Sequence, residues 1–114
     1  MRLALTDKVI KKYMDEKGIT DFLDCSNESE GLSIAAGYWL ATGKRAEVYI
    51  SGDGFMNCLN FFTSWIMVEP IEMNIFISTG RTEPPHKVVT EILPELLELL
   101  NYDSTRISIQ LINK

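Results

Sequence analysis

The residues best suited to chemistry lie in short stretches that also contain turn-forming residues. Glu28 stands in "SNESEG" at positions 26 to 31, where a carboxylate could hold or transfer a proton. His86 is the single histidine of the chain and could act as a general acid or base. Cys25 lies just before the first of these stretches and could be a reactive thiolate if its pKa were lowered.

Each of these residues also has a structural interpretation. An acid such as Glu28 in the first turn of a helix faces the positive end of the helix dipole and gains about 0.3 to 1 kcal/mol. His86 follows two prolines and would then be solvated, and Cys25 would be a small buried residue. The stretch "GDG" at 52 to 54 could open a dinucleotide-binding turn, but Asn57 replaces the third glycine, which favours a plain tight turn.

The surrounding patterns predict helices and strands in alternation. Asn27 and Glu30 have the spacing of a capping box, and apolar residues recur at helical spacing until Gly43. The predicted helices cover residues 4–17, 27–43, a segment from the "GDG" turn to about Val68, and 87–101 with Pro94 inside it. The predicted strands cover residues 19–23, 46–51, 73–78 and 106–112.

This alternation indicates the α/β class. We expect a single three-layer domain in which a parallel sheet of about four strands has helices on both faces. Active sites in such sheets gather at the carboxyl ends of the strands. The turns at 24–28, 51–54 and 78–86, which hold the candidate residues, should therefore meet.

Composition and charge exclude several functions. The chain has 114 residues, which suits one domain, and its formal net charge of -5 with scattered basic residues argues against nucleic acid. Its longest apolar run, at 61–68, is too short to span a membrane, and the N-terminus lacks a secretory signal, so we expect a cytoplasmic protein. With two cysteines and one histidine, neither a disulfide framework nor a zinc site is expected, and both thiols should be free.

Self-association is expected from the second helix. Ala35, Ala36 and Gly37 lie beside Trp39, and small residues next to a large aromatic one would let another helix approach closely. The sequence therefore predicts a homo-oligomer.

The stretch "NESEGLSIAAGYWLATGK" at 27 to 44 resembles the signature of a known enzyme family. It is similar to the pyrimidine-binding (N-terminal) domain, or alpha subunit, of thiamine diphosphate-dependent 2-oxo acid decarboxylases of the sulfopyruvate and phosphonopyruvate decarboxylase type. "EPPH" at 83 to 86 is similar to that family's Glu-Pro-Gln-His loop. The family's strand and following helix carry residues found here in the same order: Val48, Tyr49, Gly54, Asn57, Asn60, Thr63 and Ser64.

The resemblance implies a role for Glu28. The family's glutamate hydrogen-bonds the aminopyrimidine ring of thiamine diphosphate and favours the tautomer that deprotonates the thiazolium C2. Asn27 and Glu30 would cap the helix and leave Glu28 free for this chemistry. The cofactor-binding residues implied with it are Asn27, Gly54, Asn57 and Asn60, with His86 on the substrate side.

The resemblance also implies a partner. A separate diphosphate-binding (beta) subunit would hold Mg²⁺ and the diphosphate, and the substrate would be a small acidic 2-oxo acid. This chain alone would be inactive and would bind no metal.

Two alternatives remain at the level of sequence. We expect the chain to start directly at the helix 4–17 and to lack the family's first strand, which favours a degenerate regulatory or structural subunit. The other alternative is the magnesium- and diphosphate-binding sister domain, in which Asp53 of "GDG" would be a metal ligand.

Overall fold

A computed structural model describes residues 1–84 and 86–113. Pro85, in the "EPPH" stretch, lies outside the described residues. The strands are β1 (Arg2–Ala4), β2 (Leu23–Asp24), β3 (Glu47–Ser51), β4 (Met73–Thr79) and β5 (Ile107–Asn113). The helices are α1 (Lys8–Lys17), α2 (Glu28–Thr42), α3 (Gly52–Asn57), α4 (Leu59–Phe61), a π-helical turn (Phe62–Ile66) and α5 (His86–Leu100).

The five strands form one parallel sheet in the order β2-β1-β3-β4-β5. Helix α1 packs on one face of the sheet, while α2 and α3 pack on the other and α5 lies against α3. The predicted α/β class with three layers is confirmed, with five strands rather than about four. None of the helices in the described ranges is long and apolar enough to cross a membrane.

The expectation that the chain starts directly at a helix over 4–17 is wrong. Arg2–Ala4 form β1, which lies between β2 and β3 inside the sheet, and α1 begins at Lys8. The N-cap of α1 is Asp7, whose Oδ1 accepts a hydrogen bond from the Ile10 amide at 2.8 Å. A three-residue strand is too short to show alternation, and Leu5 happens to continue the helical spacing of α1.

The first predicted strand is also shifted, from 19–23 to Leu23–Asp24. The shift follows from strand pairing, because β2 is an edge strand that pairs only with β1. The short β1 pairs with two residues of β2: Leu3 lies opposite Leu23 and Ala4 opposite Asp24. Gly18 ends α1 in the left-handed conformation with φ of 68°.

The main core lies between the sheet and the face covered by α2, α3 and α5. Ala35 and Ala36 are fully buried there. Ala35 and Ala36 therefore pack on their own sheet and are not free for another helix, whereas Gly37 is exposed, which weakens the sequence argument for self-association. Trp39 is half-buried, and its Nε1 donates a hydrogen bond to the Pro70 carbonyl at 3.0 Å.

The third predicted helix, from "GDG" to about Val68, is divided. Helix α3 ends at Asn57, Cys58 intervenes, and a π-helical turn completes the segment at Ile66. A single residue inserted into a helical register produces a π turn like the one at Phe62–Ile66, and apolar spacing alone does not reveal it. Helix α5, by contrast, runs without a break through Pro94.

Candidate functional site

The strand order places a topological switch point at the carboxyl ends of β1 and β3. The connection leaving β1 runs over one face of the sheet through α1, whereas α2 and α3 lie on the opposite face, so the chain direction diverges between these two strands. Open α/β sheets bind ligands at such a switch point. The turns that follow β2, β3 and β4 all lie at this edge.

The first turn of α2 is capped without Glu28. Asn27 Oδ1 accepts a hydrogen bond from the Glu30 amide at 2.9 Å. Glu30 accepts from the Ser26 amide at 3.1 Å and from the Ser26 hydroxyl at 2.7 Å, one residue before the position a capping box would use. These bonds hold the pKa of Glu30 below its usual range. Among the described residues, none forms a hydrogen bond with the Glu28 carboxylate.

Glu28 lies directly against Gly54 of α3. A Cβ atom added at Gly54 would be 2.5 Å from Glu28 Cγ and 2.6 Å from Oε1, closer than real contacts allow. Glu28 follows β2 and Gly54 follows β3, so this contact passes over the carboxyl end of β1, which lies between those strands. Gly54 thus forms a cradle for the Glu28 side chain at the switch point.

The interpretation of "GDG" as a plain tight turn is wrong. Gly52–Asn57 form α3, and Ser51 caps it, with its hydroxyl accepting from the Gly54 amide at 2.9 Å. A Cβ at Gly52 would lie 3.1 Å from Val89 Cγ1 and 3.3 Å from the Ser78 carbonyl oxygen. The two glycines therefore permit close approach on both sides of α3, Gly54 towards α2 and Gly52 towards α5.

Cys58 lies close enough to Glu28 for the two groups to interact electrostatically. It follows Gly54 by one helical turn and is 1% exposed. Burial raises the pKa of the Cys58 thiol to about 11, and the Glu28 carboxylate adds to the rise. Glu28 therefore has a neutral, buried thiol in its surroundings. Cys25 and Cys58 are both free thiols.

On the opposite side of α3, His86 pairs with Asp53. His86 Nδ1 is in hydrogen-bonding contact with Asp53 Oδ2, and the two side chains are 23% and 39% exposed. They border a small cleft whose other polar residues are Ser51, Ser78, Thr79, Arg81 and Thr90.

The pairing of Asp53 with His86 was not predicted, because the two residues are far apart in sequence. A signal existed in the predicted topology: Asp53 follows β3 and His86 follows β4, and these strands are neighbours. Carboxyl ends of neighbouring parallel strands bring their following turns together.

The two predicted asparagines are exposed. Asn57 ends α3, and the Asn60 amide oxygen accepts a hydrogen bond from the Ser64 hydroxyl at 3.1 Å. No hydrogen bond in the described part of the chain links either residue to Glu28. The structure thus brings Gly54 to Glu28 and leaves Asn57 and Asn60 on the outer surface of the α3–α4 segment.

A larger cleft of about 380 Å³ lies at the opposite, amino-terminal edge of the sheet. Arg2 and Glu47 line it and form an ion pair at 3.0 Å, and the Tyr49 hydroxyl donates to Glu47 at 2.8 Å. Arg45 in the same lining pairs with Glu72 at 2.9 Å, so Arg2, Arg45 and Glu47 are all engaged in ion pairs. We therefore place the candidate site at the carboxyl edge, where Glu28 is held without such a partner.

No protein-family model matches the chain, and a search of curated proteins finds no match. Within residues 1–84 and 86–113, no three His, Cys, Asp or Glu side chains are grouped as metal ligands.

Proposed function

We propose that this chain is the pyrimidine-binding subunit of a thiamine diphosphate-dependent decarboxylase that acts on a small acidic 2-oxo acid. The observation that carries the proposal is the state of Glu28. Its carboxyl group lies at the switch point against Gly54, and Asn27 and Glu30 cap the helix in its place.

The local structure suits a carboxyl group that forms a hydrogen bond with a bound ring nitrogen. The Gly54 cradle fixes the side chain on one side, and the buried Cys58 thiol lies near it. The cofactor, when bound, supplies the electron sink for decarboxylation.

The proposal includes a second chain. Gly54 and Glu28 would lie at the pyrimidine end of the cofactor. A separate diphosphate-binding subunit would supply Mg²⁺ and the diphosphate contacts. A cytoplasmic location and a homo-oligomeric state belong to the same proposal, the second without support from the buried face of α2.

Two observations weaken the alternatives of a degenerate subunit and a sister domain. The degenerate subunit was favoured by a missing first strand, and β1 is present. The sister domain would use Asp53 as a metal ligand, whereas Asp53 pairs with His86.

Co-purification with the tagged chain, followed by an activity assay, tests the proposal. We expect a complex that releases carbon dioxide from sulfopyruvate or phosphonopyruvate and needs added thiamine diphosphate and Mg²⁺. A complex that binds thiamine diphosphate and lacks decarboxylase activity would favour the degenerate subunit. Absence of any thiamine diphosphate binding would overturn the proposal.

A further inference from the structure

We propose that β5 is the surface through which two copies of this chain associate, with the two β5 strands lying side by side and antiparallel. The two sheets would then form one continuous sheet across a twofold axis. The proposed function leaves the surface of its homo-oligomer open, and this inference supplies one without using the cofactor or the candidate site.

The two edges of the sheet differ in length. At one edge, β2 pairs with β1 through two residues. At the other edge, β5 pairs with β4 through all seven of its residues, and no other described strand lies on its outer side. A long edge strand presents a row of unpaired N–H and C=O groups to which a further strand can add. The β5 edge is therefore the better template for strand addition.

Strand β5 also lacks the features that usually block such an edge. Proteins protect long edge strands with prolines, with charged residues or with a bulge that twists the strand away. The strand reads "ISIQLIN", without a proline or a charged residue. Its register with β4 is continuous from Ile107 to Asn113, so it has no bulge. This combination is expected of an edge that another strand covers.

The hydrogen bonds at the start of β5 show which backbone groups point outward. The Met73 amide of β4 donates to the carbonyl of the residue before Ile107 at 3.2 Å. The Ile107 amide points away from β4 and donates to the Asp103 carbonyl at 3.0 Å. Since the backbone groups of successive strand residues alternate in direction, those of Ile109 and Leu111 also point outward. No turn or loop bond among the described residues engages these two amides.

The strand is self-complementary about its central residue, Gln110. A twofold axis at Gln110 places Ile109 of each copy opposite Leu111 of the other. Since the backbone groups of both residues point outward, each such pair exchanges N–H···O=C hydrogen bonds in both directions. Gln110 then lies opposite Gln110 of the second copy, and its neutral amide brings no like charges together. The chain itself can therefore satisfy the open side of β5.

The side chains at these positions favour a second copy as the partner. Ile109 and Leu111 pack against the main core but stay half-buried at the edge of the sheet. In the antiparallel pair, Ile109 of one copy would contact Leu111 of the other on the same face, and such apolar cross-strand pairs stabilise a sheet. A second copy brings the same two apolar side chains to matching positions, which a strand of arbitrary sequence would not.

Light scattering of the purified chain, without cofactor or another subunit, gives the first test. We expect a dimer at micromolar concentrations. Leu111→Pro removes an amide that points outward and leaves the hydrogen bonds to β4 in place, so it should give a monomer that is folded by circular dichroism. A monomeric parent would overturn the proposal, and so would a dimer of Leu111→Pro.

Cysteine cross-linking locates the contact and does not depend on the folding of Leu111→Pro. In a Cys25→Ser background, Gln110→Cys would place two thiols across the axis, with Cα atoms about 4.5 Å apart, which a disulfide can bridge. Ser108→Cys is the matched control, because Ser108 and Gln110 are both exposed on the same face of β5. The two copies of residue 108 would be about 14 Å apart.

We expect mild oxidation to link Gln110→Cys into dimers several-fold faster than Ser108→Cys. Equal rates would indicate random collision and would overturn the proposed contact. Both measurements use the chain alone, so their failure is distinct from failure of the decarboxylase proposal, which the cofactor-dependent assay reports.

Discussion

The two sides of α3 hold an acid in opposite ways. Towards α2, the Glu28 carboxylate contacts Gly54, lies near the buried Cys58 thiol and has no hydrogen-bond partner among the described residues. Towards α5, the Asp53 carboxylate is paired with His86. One side of α3 thus leaves a carboxyl group without a hydrogen-bond partner, while the other pairs its carboxyl group with a second side chain.

Replacing Gly54 by alanine should have the largest effect on the Glu28 side. The new Cβ would overlap Glu28, so Glu28 must leave the cradle, and we expect cofactor activation in the reconstituted complex to fall by about 10²- to 10⁴-fold. Overpacking should lower the free energy of unfolding by about 1 to 3 kcal/mol. Denaturant unfolding and cofactor C2 exchange measure the two effects.

Gly37→Ala is the matched control for Gly54→Ala. Gly37 lies inside α2 with nothing within 4 Å of an added Cβ, so the alanine should stabilise the protein by about 0.5 to 1 kcal/mol. The double variant Glu28→Ala, Gly54→Ala should recover most of the stability lost in Gly54→Ala. Additive losses in the double variant would contradict the direct contact between the two residues.

Alkaline pH should weaken the fold through the buried thiol near Glu28. The pKa of Cys58 is raised by burial from 9.0 to about 11, so the folded protein holds this proton more tightly than the unfolded chain. This contribution to stability is therefore constant below about pH 9 and is lost as the pH rises towards 11, by up to about 3 kcal/mol. Urea unfolding at a series of pH values measures the fall.

Cys58→Ala separates this thiol from other groups. Burial and the bond to Glu47 also raise the pKa of Tyr49, so part of the alkaline loss should persist in the variant. We expect a shallower fall between pH 9 and 11 than in the parent. Identical pH profiles would rule out Cys58 as the source.

Removing Asp53 should cost little stability, in contrast to Gly54→Ala. Both members of the Asp53–His86 pair are partly exposed, and such pairs contribute about 0 to 1 kcal/mol. We expect Asp53→Ala to unfold within about 1 kcal/mol of the parent in urea. A loss above about 3 kcal/mol would show that the pair holds α3 to α5. It would also contradict the expected difference in stability between Asp53→Ala and Gly54→Ala.

The smallest expected effect concerns Glu30. Its bonds to Ser26 lower its pKa, so the stabilisation is present above the ordinary pKa of a glutamate and disappears as the pH falls through the lowered value. Carbon NMR of the Glu30 carboxyl group should give a pKa below that of a model peptide. Ser26→Ala should return the pKa towards the ordinary value, and an unchanged pKa in that variant would contradict the assignment.

The sequence predicted the elements better than their contacts. The α2 boundaries followed from Asn27, Gly43 and apolar spacing, because caps and periodicity are local. Strand β1 was not predicted, because its three residues form a strand only by pairing with β2 on one side and β3 on the other.

The same limit applies to the site. The cap formed by Asn27 and Glu30 was predicted, and so was the release of Glu28 from it, since these residues lie within one turn. The cradle at Gly54 and the pairing of Asp53 with His86 depend on helix packing across the sheet edge. The spacing of residues along the chain does not give the distance between two helices, so these contacts could not be predicted from the sequence.

The central claim is that Glu28 activates the cofactor, and hydrogen–deuterium exchange at C2 of thiamine diphosphate tests it most directly. The measurement compares the parent, Glu28→Gln and Glu30→Gln in the complex with the diphosphate-binding subunit. We predict that Glu28→Gln slows exchange by about 10²- to 10⁴-fold, whereas Glu30→Gln, which alters only the cap, stays close to the parent. Equal exchange rates in all three proteins would contradict the account and leave Glu28 as an ordinary acid in the first turn of a helix.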